Sequence, residues 1–238
     1  MKRVACWSGP RNVSTALMRS WSSRNDTFVS DEPLYAYYLK KTKLKHPMYS
    51  EIINYYPNNL DDIIFKLTTE NIHGKKIWYQ KHMAHHLIDL NKIDWIRNFH
   101  NCFLIRDPLE VIHSYSEKHN LKKIEDLGYL QQYEIIKFLE KSNLPFSVID
   151  SSDLLTNPGN VLSSWCKKIN INFDILMLSW EKGNHKEDGI WWKHWYDNVI
   201  NTTGFQKYQK KDISIENKFD SIYNESMKYY NYIKEIKS

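Results

Sequence analysis

The sequence predicts an α/β fold, a three-layer sandwich in which a central parallel sheet carries helices on both faces. Three observations predict it. Short apolar runs alternate with longer segments of helical period along the chain, the pattern of strands joined by crossover helices. Several runs end at turn or phosphate-loop residues, such as Gly9-Pro10 and Arg106-Asp107-Pro108. No internal repeat, low-complexity linker or composition shift divides the 238 residues, so one domain over 1–238 is expected.

The elements follow in order. Arg3 to Ser8 reads as a short buried strand, and Ser14 to Ser23 as a helix with Ala16, Leu17 and Trp21 on one side. Thr27 to Ser30 is a second, brief strand, and Leu60 to Asn71 is helical. Ile77 to Lys81 and Cys102 to Ile105 are strands. Pro108 opens a helix to about His119, because a proline suits a first helical turn. Lys122 to Ser142 reads as one long amphipathic helix. Pro145 to Asp150 is a strand followed by a helix from Pro158 to Lys168, and Ile215 to Lys237 is the final helix. In such sheets ligands bind beyond the carboxyl ends of the strands.

Composition narrows the function classes. Hydrophobic residues make up 42% and charged residues 26%, which suits a globular core. The formal net charge of +5 comes from scattered lysines; it is compatible with a small anionic ligand and too weak to point to nucleic acid. Cys6, Cys102 and Cys166 are far apart and odd in number, which predicts free thiols in a reducing compartment and no zinc site. No apolar run reaches the ~20 residues of a membrane span. With no signal-peptide pattern at the start, a cytoplasmic location is expected.

Two elements carry chemistry. In Ser8-Gly9-Pro10-Arg11-Asn12-Val13-Ser14-Thr15, a tight turn leads into a helix whose first free N–H groups and dipole favour an anion. Arg11 adds a forked cationic donor. The loop lacks the Gly-Lys-Ser/Thr ending of a Walker A loop. The bland alternative is a helix capped by Ser14 with Arg11 on the surface. The second element is Arg106-Asp107-Pro108-Leu109-Glu110-Val111-Ile112-His113-Ser114. It places an arginine at a strand end and a serine about two helical turns on, where both can converge on one phosphate. Only six arginines occur, at positions 3, 11, 19, 24, 97 and 106. Two of them fall beside strand-end turns, although a surface pair of Arg106 with Asp107 or Glu110 would use the same residues.

In this order the two elements resemble the PAPS-dependent sulfotransferases, where PAPS is 3′-phosphoadenosine 5′-phosphosulfate. That family carries a Pro-Lys/Arg-Ser-Gly-Thr/Ser-Thr loop after its first strand, matched here by Pro10-Arg11-Asn12-Val13-Ser14-Thr15 with Asn12-Val13 in place of Ser-Gly. Its 3′-phosphate element is matched by Arg106, Asp107-Pro108, Glu110-Val111 and Ser114. Asp150 to Leu162 resembles the strand–loop–helix that follows in the family, and Gly189 to Phe205 falls where its cofactor-covering loop lies. The resemblance implies a P-loop-like sulfotransferase architecture, PAPS as co-substrate with PAP as product, and no metal. Arg11, Asn12, Val13, Ser14, Thr15, Arg106 and Ser114 would bind the nucleotide, with Arg11 also facing the leaving phosphate.

Sulfuryl transfer needs a base for the acceptor's proton. Glu32, 21 residues after Arg11, stands where family members with an arginine loop place a catalytic glutamate. The rival base lies in Lys81-His82-Met83-Ala84-His85-His86. Lys81 matches the lysine of the small-molecule members, and His85 or His86 is the alternative to Glu32. Each has a plainer reading, as a helix N-terminal acid or a core-edge histidine cluster. Tyr35, Tyr38, Trp191, Trp192 and Trp195 are expected to line the acceptor pocket in part. The acceptor itself, a small molecule, carbohydrate or lipid, is not specified, nor is the oligomeric state. Two rival functions stand beside this one: a P-loop phosphotransferase, which lacks its loop lysine here, and a nucleotide-binding protein without chemistry.

Overall fold

The computed structural model describes residues 1–210 and 212–237. Five strands form one sheet in the order β2-β3-β1-β4-β5: β1 (Lys2–Ser8), β2 (Thr27–Asp31), β3 (Ile77–Met83), β4 (His100–Ile105) and β5 (Phe146–Asp150). Every pairing is parallel, and Cys6 of the central β1 lies between Lys81 of β3 and Cys102 of β4. A parallel sheet must be covered on both faces, and the strands alternate accordingly. Ala5, Trp7, Trp78, Phe103 and Ile105 enter one apolar cluster, while Val4, Cys6, Tyr79, Cys102 and Leu104 enter another.

Helices close each face. Helix α1 (Ser14–Ser22) follows β1 and puts Leu17, Met18 and Trp21 into the second cluster. Short helices α2 (Tyr35–Thr42) and α3 (Tyr49–Tyr55) follow β2, and α4 (Leu60–Thr69) leads to β3. Helix α5 (Pro108–Ser116) follows β4 and puts Val111 and Ile112 into the first cluster. The helices after the adjacent strands β1 and β4 therefore leave to opposite faces. This opens a crevice at their carboxyl ends, where such sheets bind ligands. Beyond it, α6 (Tyr129–Lys141) covers the first face, α7 (Ser151–Thr156) and α8 (Pro158–Lys168) follow β5, and α9 (Trp192–Trp195) and α10 (Asp220–Glu235) complete the order. No helix among the described residues is long and apolar enough to cross a membrane.

The expected strands are present, with β2 and β3 running on to Asp31 and Met83. The expected helix over 122–142 is broken. A 3-10 turn at Ile124–Leu127 ends at Gly128, whose φ of 75° starts α6 anew. The cause is contact, since a Cβ on Gly128 would stand 3.3 Å from the Cα of Gly9. The phosphate loop therefore rests on this break. The final helix begins at Asp220 rather than Ile215, after a 3-10 turn at Asn217–Phe219. The helix from Pro108 stops at Ser116, short of His119. Helices α3, α7 and α9 were not expected, and α2 only in the plainer reading of Glu32 as a helix N-terminal acid. In α2, five consecutive residues, Tyr35 to Leu39, are buried, so no polar face marks its period.

Candidate active site

Two concavities meet at the crevice. The first, the loop cleft, has a volume of about 470 Å³ and is lined by Arg11, Asn12, Val13, Ser14, Thr15, Arg106 and Ser114 together. The strand-to-helix turn explains half of it. Gly9 is required where it stands, because a Cβ there would meet the carbonyl oxygen of Leu127 at 2.1 Å. Arg11 and Val13 take left-handed φ values of 60° and 54° with Asn12 between them, a backbone alternation of the kind that turns successive N–H groups toward an anion. Val13, not Ser14, is the N-cap of α1, and no side chain caps it. The alternative of a Ser14-capped helix therefore does not hold, and the first N–H groups of α1 stay open to a ligand. Asn12 is buried with neither side-chain polar atom partnered among the described residues, a state that a polar ligand would relieve.

The other half comes from β4 and α5. Arg106 is held as a fork: its Nε donates to Glu110 at 2.8 Å and one terminal nitrogen donates to the Arg11 carbonyl at 2.7 Å. Tyr208 braces Glu110 through a 2.6 Å bond. Arg11 in turn donates from Nε to Ser114 Oγ at 2.9 Å. Burial, and then the neighbouring Arg106, push the Arg11 guanidinium below its ordinary pKa. Two guanidiniums held this close favour an anion between them. The segment 195–209 supplies Trp195, Tyr196, Asn198 and Tyr208 to the opposite wall.

The second concavity, the carboxylate pocket, has a volume of about 120 Å³. Glu32, Lys81, His85 and His86 line it, and Arg11, Ser14, Thr15, Trp195 and Tyr196 line both spaces. Glu32 follows β2 in a left-handed conformation, φ 45°, which is uncommon for a side chain of that size and is held by its surroundings. Its N–H still donates to the Lys81 carbonyl at 2.9 Å. Lys81 Nζ donates to Asp31 at 2.9 Å, to Glu32 at 2.6 Å and to the Tyr196 hydroxyl at 2.8 Å. Tyr196 donates to Asp31 at 2.6 Å, and the Gly189 N–H reaches the same oxygen at 2.9 Å. Burial alone would lower Lys81, but Asp31 and Glu32 outweigh it and hold the ammonium well above its usual range. Burial pushes the Glu32 carboxyl up; Lys81 opposes this and the Asp31 charge adds to it.

The histidines differ in kind. The His86 ring lies between Tyr35 and Tyr38, with centroids at 4.8 Å and 4.6 Å, and its Nδ1 stands 3.9 Å from Glu32. Burial lowers His86 well below its usual pKa, with His85 adding to the effect. Burial, then His46, push His85 down to about 3. Both rings are therefore neutral and poorly suited to hold a proton. Of the five aromatics expected at the acceptor, only Tyr35 and Trp195 line the pocket. Tyr38 backs His86, Trp191 is buried against Tyr35 and Tyr56, and Trp192 packs with that cluster. Sequence reasoning missed Asp31, His46, Tyr115, His119, Asp126 and Tyr196. For Asp31, Tyr115 and Tyr196 a signal existed, their places beside Glu32, Ser114 and Trp195; His46, His119 and Asp126 carried none.

A family model described as sulfotransferase domain matches residues 1–236. Among curated proteins, branched-chain-amino-acid aminotransferase-like protein 2 of Arabidopsis thaliana is 32% identical over 213 residues, covering 88% of this chain. Branched-chain-amino-acid aminotransferase-like protein 1 of the same plant is 33% identical over 210 residues, 87% of this chain. The chain spans 37% of the length of each of these relatives. Among solved structures, the sulfotransferase domain from the Synechococcus PCC 7002 olefin synthase superposes with a TM-score of 0.59 at 15% identity, covering 97% of this chain and 95% of that one. A sulfotransferase from Alicyclobacillus acidocaldarius gives 0.57 at 9% identity, covering 99% and 96%. At such identities the two structures speak for the fold.

Proposed function

The chain belongs to the sulfotransferase-domain family, and from that premise we propose that it moves a sulfuryl group from PAPS to a hydroxyl or amine of an acceptor. The observation that carries this reading is the position of Arg11. It lines both the loop cleft, with Arg106 and Ser114, and the pocket that holds Glu32 and Lys81. A nucleotide in the cleft with its 3′-phosphate at Arg106 and Ser114 would present its phosphosulfate at the shared wall.

The reaction is an in-line displacement at sulfur. The acceptor oxygen or nitrogen forms a bond to sulfur while the bond from sulfur to the bridging oxygen of the 5′-phosphate breaks. PAP leaves with the electron pair, and the acceptor's proton passes to Glu32. Arg11 and the open N–H groups of α1 stabilise the charge growing on the leaving phosphate. Among the candidate bases Glu32 is favoured, because a carboxyl raised toward neutrality is matched to proton transfer, whereas an imidazole held near 3 is not. Lys81 keeps Glu32 in place and supplies positive charge beside the transferring group. The loop has no lysine in the Walker position, and Lys81 is committed to two carboxylates, which speaks against a phosphotransferase.

Calorimetric titration with PAP, with ADP and ATP–Mg²⁺ as controls, tests the reading. Tight binding of PAP with weak binding of ADP is expected. Preference for ATP–Mg²⁺, or no binding of any nucleotide, overturns it.

A further inference from the structure

The carboxylate pocket has a character of its own. Besides Glu32 and Lys81 it is walled by rings: Tyr35, Tyr115, Trp195, His46 and His119. They brace one another. Tyr35 OH and His46 Nδ1 are 2.8 Å apart, His119 packs on Trp195 with centroids at 4.8 Å, and Tyr115 meets His119 at 5.1 Å. One carboxylate, Asp126, joins this wall. It accepts two long hydrogen bonds, 3.4 and 3.3 Å, from the N–H groups of Lys122 and Lys123. It has no ion pair among the described residues. Asp126 acts electrostatically on Tyr38, His46 and Tyr115, whereas Glu32 acts on Tyr35, Lys81 and Tyr196. The two carboxylates thus act on different side chains of one space.

Basic groups that face the pocket do not satisfy Asp126. Lys81 is bound to Asp31, Glu32 and Tyr196, and Arg11 to Ser114 at the cleft. Burial lowers His46 and His119, although the Asp126 charge works the other way on His46. An anion beside π faces that are themselves negative is a poor host for a neutral or acidic group and a good one for a cation. The volume of about 120 Å³ is somewhat below the roughly 150 Å³ of a cavity that holds benzene, so the guest must be small or reach out past the wall shared with the cleft. A cationic acceptor would also complement the polyanionic nucleotide across the shared wall.

We propose that the acceptor is a small alcohol or phenol bearing an ammonium group, seated among Tyr35, Tyr115 and Trp195 with its charge toward Asp126 and its hydroxyl toward Glu32. This rests on the sulfuryl-transfer reading. The hydroxyl oxygen forms the bond to sulfur, its proton goes to Glu32, and the ammonium end takes no part in bond making.

The test is calorimetry on protein first saturated with PAP, using two isosteric pairs that differ in charge: choline against 3,3-dimethyl-1-butanol, and tyramine against 4-propylphenol. At least one cation should bind roughly tenfold or more tighter than its neutral partner, as a desolvated cation–π site allows. Asp126→Asn, which keeps an acceptor for the Lys122 and Lys123 N–H groups, should remove most of that preference and leave PAP affinity unchanged. Equal or tighter binding of the neutral partner in both pairs, or no binding of any of the four while PAP binds, overturns the inference and leaves the sulfuryl-transfer reading standing. Failure of PAP itself to bind would count against that reading instead.

Discussion

Around the loop cleft, each binding group comes from a short stretch of chain. Arg11 to Thr15 occupy one strand-to-helix turn, and Arg106 and Ser114 sit at the two ends of the next such unit. Around the carboxylate pocket there are local runs too, Asp31-Glu32, Lys81 to His86 and Trp195-Tyr196, but they are far apart in the chain. Lys81, Asp126, His46 and Tyr196 come from four further segments. In the cleft Arg106 is paired with Glu110 and Arg11 donates to Ser114, and the Arg106 side chain keeps 26% of its surface exposed. In the pocket, one buried lysine, two carboxylates and a tyrosine hydroxyl satisfy each other within 2.9 Å. A polyanion can be recognised by a few forked donors on local turns. A proton acceptor whose pKa must be set needs a closed environment, and that takes the whole fold.

The comparison predicts separable effects. Largest is Glu32→Gln, expected to lower PAP release from PAPS plus acceptor by about 10²–10⁴-fold while PAP binds as before. Because burial raises the Glu32 carboxyl and the base must be ionised, activity should fall as pH drops through a pKa above the ordinary carboxylate range. An acidic limb in the ordinary carboxylate range would show that the Glu32 carboxyl is not raised, and full turnover in Glu32→Gln with none in His85→Ala or His86→Ala would move the base to the histidines. Next, Arg106→Ala should weaken PAP by roughly ten- to hundredfold, the worth of hydrogen bonds to a charged group, and ADP by much less. An unchanged PAP affinity would break the cleft assignment. Smallest is a contrast in stability. Tyr196→Phe removes a hydroxyl shared by Asp31, Lys81 and Trp191 and should cost about 1–3 kcal/mol in urea unfolding. Ser114→Ala should stay within about 0.5 kcal/mol of the parent and act on PAP affinity alone. Equal losses in the two would show that the cleft is as tightly interlocked as the pocket.

The same contrast accounts for what could be read in advance. The strands were legible because parallel, doubly buried strands are continuous apolar runs, as in Cys102 to Ile105. Gly9 and Arg11 announced their turn, and the spacing of Arg106 to Ser114 follows from helical rise alone. Gly128 was hidden: nothing around it says that the helix must break, since the reason is the distant Gly9. Tyr35 and Tyr38 were expected at a pocket, yet one lines it and the other only stacks behind His86, a difference of rotation on a helix with no polar face.

By itself, then, the sequence determined the α/β class, the strands and the two turns proposed to hold phosphate, because each depends on contacts between near neighbours in the chain. Tertiary structure decided the rest. It clamped the His86 ring between Tyr35 and Tyr38, bound Lys81 to Asp31 and Glu32, brought Tyr196 across from position 196 to cap them, and set Asp126 in the wall of the same pocket. Burial and charge are properties of the assembled surroundings, and a residue's neighbours in space are fixed only once the sheet has closed over them.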